Sequence, residues 1–136
     1  MKALLLTSPS SLSLTDIETP QPDAGDVRVK IAACGICGSD VHGYTGSTGR
    51  RVPPLVMGHE AAGIIDAVGL DVSSEMTGQR VALDSTVFCG ECDFCRNGQE
   101  NLCTDRQVLG VSCDAYRRHG CFAEYVIVPK RCVYPL

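Results

Sequence analysis

The sequence predicts a mainly β fold: a small, irregular barrel with a cysteine-rich lobe set into it. Short runs of branched and apolar residues, several with a period of two, carry that expectation. Turn-forming residues separate them at short intervals, and no stretch sustains a helical period. Fourteen glycines and seven prolines punctuate the 136 residues. Hydrophobic residues make up 44% of the chain and charged residues 21%, an ordinary globular balance with material for one modest core. A single domain over residues 1–136 is expected.

The elements follow in order. Residues 3–6, 12–17 and 27–33 read as the first three strands. In the third, Val27, Val29 and Ile31 alternate with Arg28, Lys30 and Ala32, the pattern of a half-buried strand. Thr19-Pro20-Gln21-Pro22 and Ala24-Gly25-Asp26 break the chain between them. A brief helical turn fits between Cys37 and Tyr44. Residues 61–68, 81–83 and 122–128 supply further strands. The stretch 88–104 differs, being polar, rich in cysteine and poor in strand formers. Something other than an apolar core must hold it in shape.

Charge and hydropathy exclude some functions. The formal charge is -4, and the basic pairs Arg50-Arg51, Arg117-Arg118 and Lys130-Arg131 read as solvated surface. Without a basic stripe to displace counterions, no nucleic-acid partner is expected. No apolar run approaches the ~20 residues that cross a bilayer, so no membrane partner is expected. The start, Met1-Lys2 followed by Ala3 to Leu6, is too short for a signal peptide and lacks a cleavage pattern, which predicts a cytoplasmic location. Nine cysteines are an odd number in a reducing compartment, which points to metal or catalysis rather than disulfides.

Cys89, Cys92, Cys95 and Cys103 are spaced C-x2-C-x2-C-x7-C. Two intervening residues let successive thiolates curl around one ion, and the longer gap holds a turn at Asn97-Gly98. Four thiolates at about 2.3 Å close a structural zinc site with no open position. Bacterial iron–sulfur clusters use a different last spacing followed by proline. A redox pair at Cys92 and Cys95 would leave two sulfurs unexplained. The second constellation is Cys34-Gly-Ile-Cys37-Gly-Ser39-Asp40-Val-His42, with Gly58-His59-Glu60 downstream. Cysteine, histidine and glutamate suit a catalytic zinc, which keeps one position for water or substrate. By spacing alone, a lone His59 beside a strand is more often a hydrogen-bonded structural residue than a ligand, and Cys34 with Cys37 reads equally as a redox pair.

The stretch from Gly58 to Val72, GHEAAGIIDAVGLDV, resembles the zinc alcohol dehydrogenase signature GHE-x2-G-x5-G-x2-V. It stands after CGICGSDVH and before the four-cysteine stretch, the order of that family, and GCFAEYVIVP from Gly120 to Pro129 is similar to its GGFAEY strand. The chain therefore resembles the N-terminal half of a medium-chain, zinc-dependent alcohol or polyol dehydrogenase of the sorbitol, threonine and butanediol type. The resemblance implies a GroES-like barrel, two zinc ions (one catalytic, one structural) and NAD or NADP as hydride acceptor. It makes Cys37 and His59 ligands of the catalytic zinc, and Glu60 a residue behind it that ligates directly in some members. Ser39 takes the substrate proton, His42 forms the outer end of the relay, and Asp40 orients the histidine ligand. Cys34 matches no ligand and is expected to pack, and Tyr44 is either a pocket or a packing residue.

The resemblance further implies a small alcohol or polyol substrate and a homo-oligomeric parent. Two departures stand out: Cys121 replaces a usual glycine, and Gln79 a common aspartate. No G-x-G-x-x-G turn occurs, so the nicotinamide-binding Rossmann domain is absent and the chain is expected to be a fragment, inactive alone. The competing expectation is a stand-alone, zinc-stabilised binding or assembly module without redox chemistry.

Overall fold

The computed structural model describes all 136 residues, Met1–Leu136. Strands β1 (Lys2–Ser8), β2 (Ser11–Asp16) and β3 (Asp26–Gly35) lead into helix α1 (Gly38–Tyr44). β4 (Leu55–Val56), β5 (Glu60–Val68), β6 (Arg80–Leu83) and β7 (Thr86–Val87) precede a short helix α2 (Asp93–Arg96). β8 (Gln107–Val108), β9 (Val111–Ser112), β10 (Arg117–Arg118), β11 (Tyr125–Pro129) and β12 (Val133–Pro135) follow. Every strand pairing is antiparallel.

The main sheet has the order β11-β3-β5-β6-β12, and a smaller one the order β2-β1-β4. The alternation in β3 holds: Val27 and Val29 are fully buried, while Lys30 faces solvent. With Ile65, Val81, Val126 and Val128 they form the larger apolar cluster. Arg28 clamps β3 to β5 through a two-pronged ion pair, Nε and Nη2 each donating to an Asp66 oxygen at 3.0 Å. Leu6, Leu55 and Met57 make a second, smaller cluster under Tyr44 and Phe122.

The strands do not close into a barrel, which corrects that part of the expected fold. β11 and β12 remain the two edges of the main sheet. β4 is two residues long and follows Pro53-Pro54, which have no N–H to extend a ladder. Residues 120–124, expected in part as strand, instead bridge the two sheets. Gly120, Cys121 and Phe122 donate to the carbonyls of Val56, Gly58 and Met57, while Glu124 donates to Lys2 and Leu4 to Phe122. No helix is long and apolar enough to cross a membrane.

Candidate metal centre

The register of β3 against β5 builds the site. Cys34 pairs with Ala61 and Gly35 with Glu60, so the residues after β3 meet those before β5. Cys37 Sγ and His59 Nε2 consequently stand 3.3 Å apart, although 22 positions separate them in sequence. Gly58 makes the approach possible. Its φ is +89°, and a Cβ there would lie 2.6 Å from the Phe122 ring.

Asp40 ties the pair together. Cys37 is the N-cap of α1 and Asp40 its third residue, so the carboxylate turns back and Oδ2 accepts from the Cys37 amide at 3.1 Å. Its other oxygen, Oδ1, faces His59 Nδ1 at 3.5 Å. Asp40 is 2% exposed, and neither Oδ1 nor Nδ1 has another partner. A proton on Nδ1 suits that arrangement and leaves the Nε2 lone pair directed at the Cys37 sulfur.

Ser39 Oγ completes the group, 3.1 Å from Cys37 Sγ and 3.5 Å from His59 Nε2. Cys37, Asp40 and His59 bring their ligand atoms within 4.8 Å of one another. Glu60 is not among them: its side chain is exposed and lies over Gly35, in a cleft shared with His59, Asp84 and Ser85. His42 is exposed on α1; its side chain makes no hydrogen bond, and its backbone carbonyl accepts from Thr45 Oγ1 and from the amide and hydroxyl of Ser47. Tyr44 is a packing residue, its hydroxyl donating to the Ser10 carbonyl at 2.6 Å. Cys34 packs against the larger apolar cluster. Interaction with the Cys121 thiol lowers the pKa of Cys34 and raises that of Cys121.

The lobe gathers Cys89, Cys92, Cys95 and Cys103, again within 4.8 Å of one another. Cys89 Sγ lies 3.9 Å from Cys95 Sγ and 3.6 Å from Cys103 Sγ. A tetrahedron of sulfurs at zinc–sulfur bond length has edges of ~3.8 Å, so the spacing suits one ion. The amides of Cys95 and Thr104 donate to Cys92 and bring its pKa down to about 6. Desolvation within the cluster pushes Cys95 up to about 12. A cation would resolve that opposition by favouring all four thiolates. All nine cysteines are free.

Arg51 corrects the reading of the Arg50-Arg51 pair as solvated surface, being only 9% exposed. Nη1 donates to the Arg50 carbonyl at 3.2 Å, and Nη2 reaches Ser39 Oγ at 3.5 Å. Burial lowers its pKa, opposed by the nearby Asp40 and Cys37. No sequence pattern marks it, because its burial comes from a tertiary contact with Gly43.

Residues 23–136 match the family model for the alcohol dehydrogenase GroES-like domain. The starvation-sensing protein RspB of Escherichia coli K12 is 47% identical over 131 residues, covering 96% of this chain and 37% of that protein. An L-threonine 3-dehydrogenase of Saccharopolyspora erythraea is 40% identical over 138 residues, covering 98% and 39%. Among solved structures, the rspB alcohol dehydrogenase of Escherichia coli CFT073, complexed with NADH, superposes with a TM-score of 0.87 at 46% identity, over 100% of this chain and 38% of that one. The chain thus spans little more than a third of the length of these relatives. On the match over most of its residues and on the shared fold, it belongs to the alcohol dehydrogenase GroES-like domain family.

Proposed function

We propose that this chain supplies the zinc-carrying catalytic half of an NAD- or NADP-dependent dehydrogenase that oxidises a secondary alcohol or polyol. The observation that carries the reading is the meeting of the Cys37 sulfur and His59 Nε2 at 3.3 Å, with Ser39 Oγ beside both. A tetrahedral zinc bound by one thiolate and one imidazole sets that sulfur–nitrogen distance at ~3.6 Å, a small adjustment away. The unsatisfied Asp40 Oδ1 and His59 Nδ1 fit the same ion, since together they would hold the imidazole ready to ligate. Glu60 offers a further carboxylate at the cleft.

Cys37 and His59 would hold a zinc ion that, when bound, would lower the pKa of an alcohol and polarise the carbonyl in the reverse direction. Ser39 flanks the place where that hydroxyl would sit and accepts its proton, which spares the centre a second charged side chain. His42, exposed on the same helix, passes the proton to solvent once a hydroxyl or water joins it to Ser39. Asp40 keeps Cys37 and His59 in register throughout. The hydride would need a bound nicotinamide as acceptor, since no side chain of this chain can take it. The four cysteines of the lobe would hold a second, purely structural zinc.

The full-length product of the gene is expected to reduce NAD or NADP with secondary alcohols. Cys37→Ala is expected to abolish turnover while leaving the circular dichroism spectrum and the lobe's zinc in place. Full turnover in that variant contradicts the reading. The reading frame beyond Leu136 separates the dehydrogenase from a non-redox module: a strand followed by a glycine-rich turn supports the first, and a stop codon the second.

A further inference from the structure

We propose that Arg51 is a specificity-determining residue of this site, selecting alcohols that carry a carboxylate or phosphate a few carbons from the reacting hydroxyl. The proposal rests on the dehydrogenase reading only for the position of that hydroxyl beside Ser39.

Arg51 is placed by backbone on both of its flanks. Ser112 donates to the Arg50 carbonyl and accepts from the Val52 amide, each at 3.2 Å, so residues 50–52 are strapped to β9. The strap turns the Arg51 side chain inward across α1. Gly43 leaves the room it needs, since a Cβ there would run into Arg51 Cγ. An arginine set this way is a built feature of the site rather than a surface rotamer.

Its donors are largely unspent. A guanidinium has five N–H groups and stays charged in proteins. One donates to the Arg50 carbonyl, and one makes a long contact with Ser39 Oγ. Nε is buried with no partner at all. No carboxylate lies within ion-pair distance, as the molecule's three ion pairs join other residues. Asp40, the nearest buried acid, has one oxygen on the Cys37 amide and the other facing His59. The remaining charged or ionisable neighbours are Cys37, Tyr116 and Arg50. A buried cation with unmatched donors next to a reaction centre has the chemistry of an oxyanion receptor.

Two oxyanions could answer to it, one on the substrate and one in the diphosphate of the cofactor. Contact with Ser39 favours the substrate, because Ser39 Oγ is itself 3.1 Å from Cys37 Sγ. A carboxylate on Arg51 therefore orients a neighbouring hydroxyl toward Cys37 and His59.

The test is calorimetric titration of the zinc-loaded, full-length protein with three probes: 3-hydroxybutyrate, its uncharged counterpart 2-butanol, and ADP-ribose for the cofactor phosphates. The expected result is at least about tenfold tighter binding of 3-hydroxybutyrate than of 2-butanol, the value of one charge-assisted hydrogen bond or more. Arg51→Met keeps the aliphatic stem over Gly43 and is expected to erase that margin with 2-butanol unchanged. Arg51→Lys, which also guards against misfolding of the methionine variant, is expected to retain part of it. Equal affinity for the two alcohols in the native protein overturns the proposal, as does an undiminished margin in Arg51→Met. So does a loss in Arg51→Met confined to ADP-ribose. Failure of the dehydrogenase reading would show separately, as absence of turnover with every alcohol.

Discussion

Asp40 Oδ1 faces His59 Nδ1 at 3.5 Å in the interior, while its sister oxygen accepts from the Cys37 amide. One carboxylate thus orients both proposed ligands, which come from either side of the β3–β5 ladder. Asp40→Asn keeps the volume and weakens this control. The variant is expected to bind zinc at Cys37 and His59 about 10- to 100-fold less tightly, with the lobe unaffected. Chelator competition followed by metal analysis measures it, and unchanged affinity at both sites would contradict the role.

The lobe has no apolar core of its own. No residue from 89 to 103 belongs to either apolar cluster. Cys103→Ser removes one of four sulfurs and is expected to release the lobe's zinc. Residues 88–104 then lose protection against hydrogen exchange and proteolysis, while β3, β5 and β11 keep theirs. Equal loss of protection in the main sheet would show that the lobe supports the whole fold.

The His119 ring is expected to give the fold a pH dependence. Its Nδ1 accepts from the Val56 amide at 3.1 Å, and the partial burial of the ring, aided by the charge of Arg117, lowers its pKa. The unfolded chain, with a histidine pKa of about 6.5, then takes up the proton first. The stability supplied by the neutral ring is complete above that value and is lost as pH falls through the folded pKa. His119→Gln can still accept from Val56 but does not titrate. Its melting temperature is expected to fall less than the native protein's between about pH 7.5 and pH 5. Parallel falls would contradict the assignment.

Much of this architecture is legible in the residues. The alternation of Val27, Val29 and Ile31 places β3 because a strand's period is two and the core is one-sided. The spacing of Cys89, Cys92, Cys95 and Cys103 foreshadows the lobe, since the sulfurs must converge on a point and only short gaps allow it. The brief helix after Cys37 also forms as its residues suggest. What escapes the sequence is set by partners distant along the chain. The open sheet follows from the bridging of residues 120–124, whose local sequence reads as strand. Arg51 enters the interior because Ser112 straps its backbone and Gly43 leaves a gap. Glu60 follows His59 directly, and its carboxylate lies over Gly35 in the cleft that both residues line.

The central claim is that Cys37 and His59 share one divalent cation. The direct measurement is the zinc content of the full-length protein, purified without chelator, beside that of Cys37→Ala and His59→Ala. The expected values are about two zinc ions per chain in the native protein and about one in each variant. Native content of about one, unchanged in both variants, would leave only the lobe's zinc and contradict the claim.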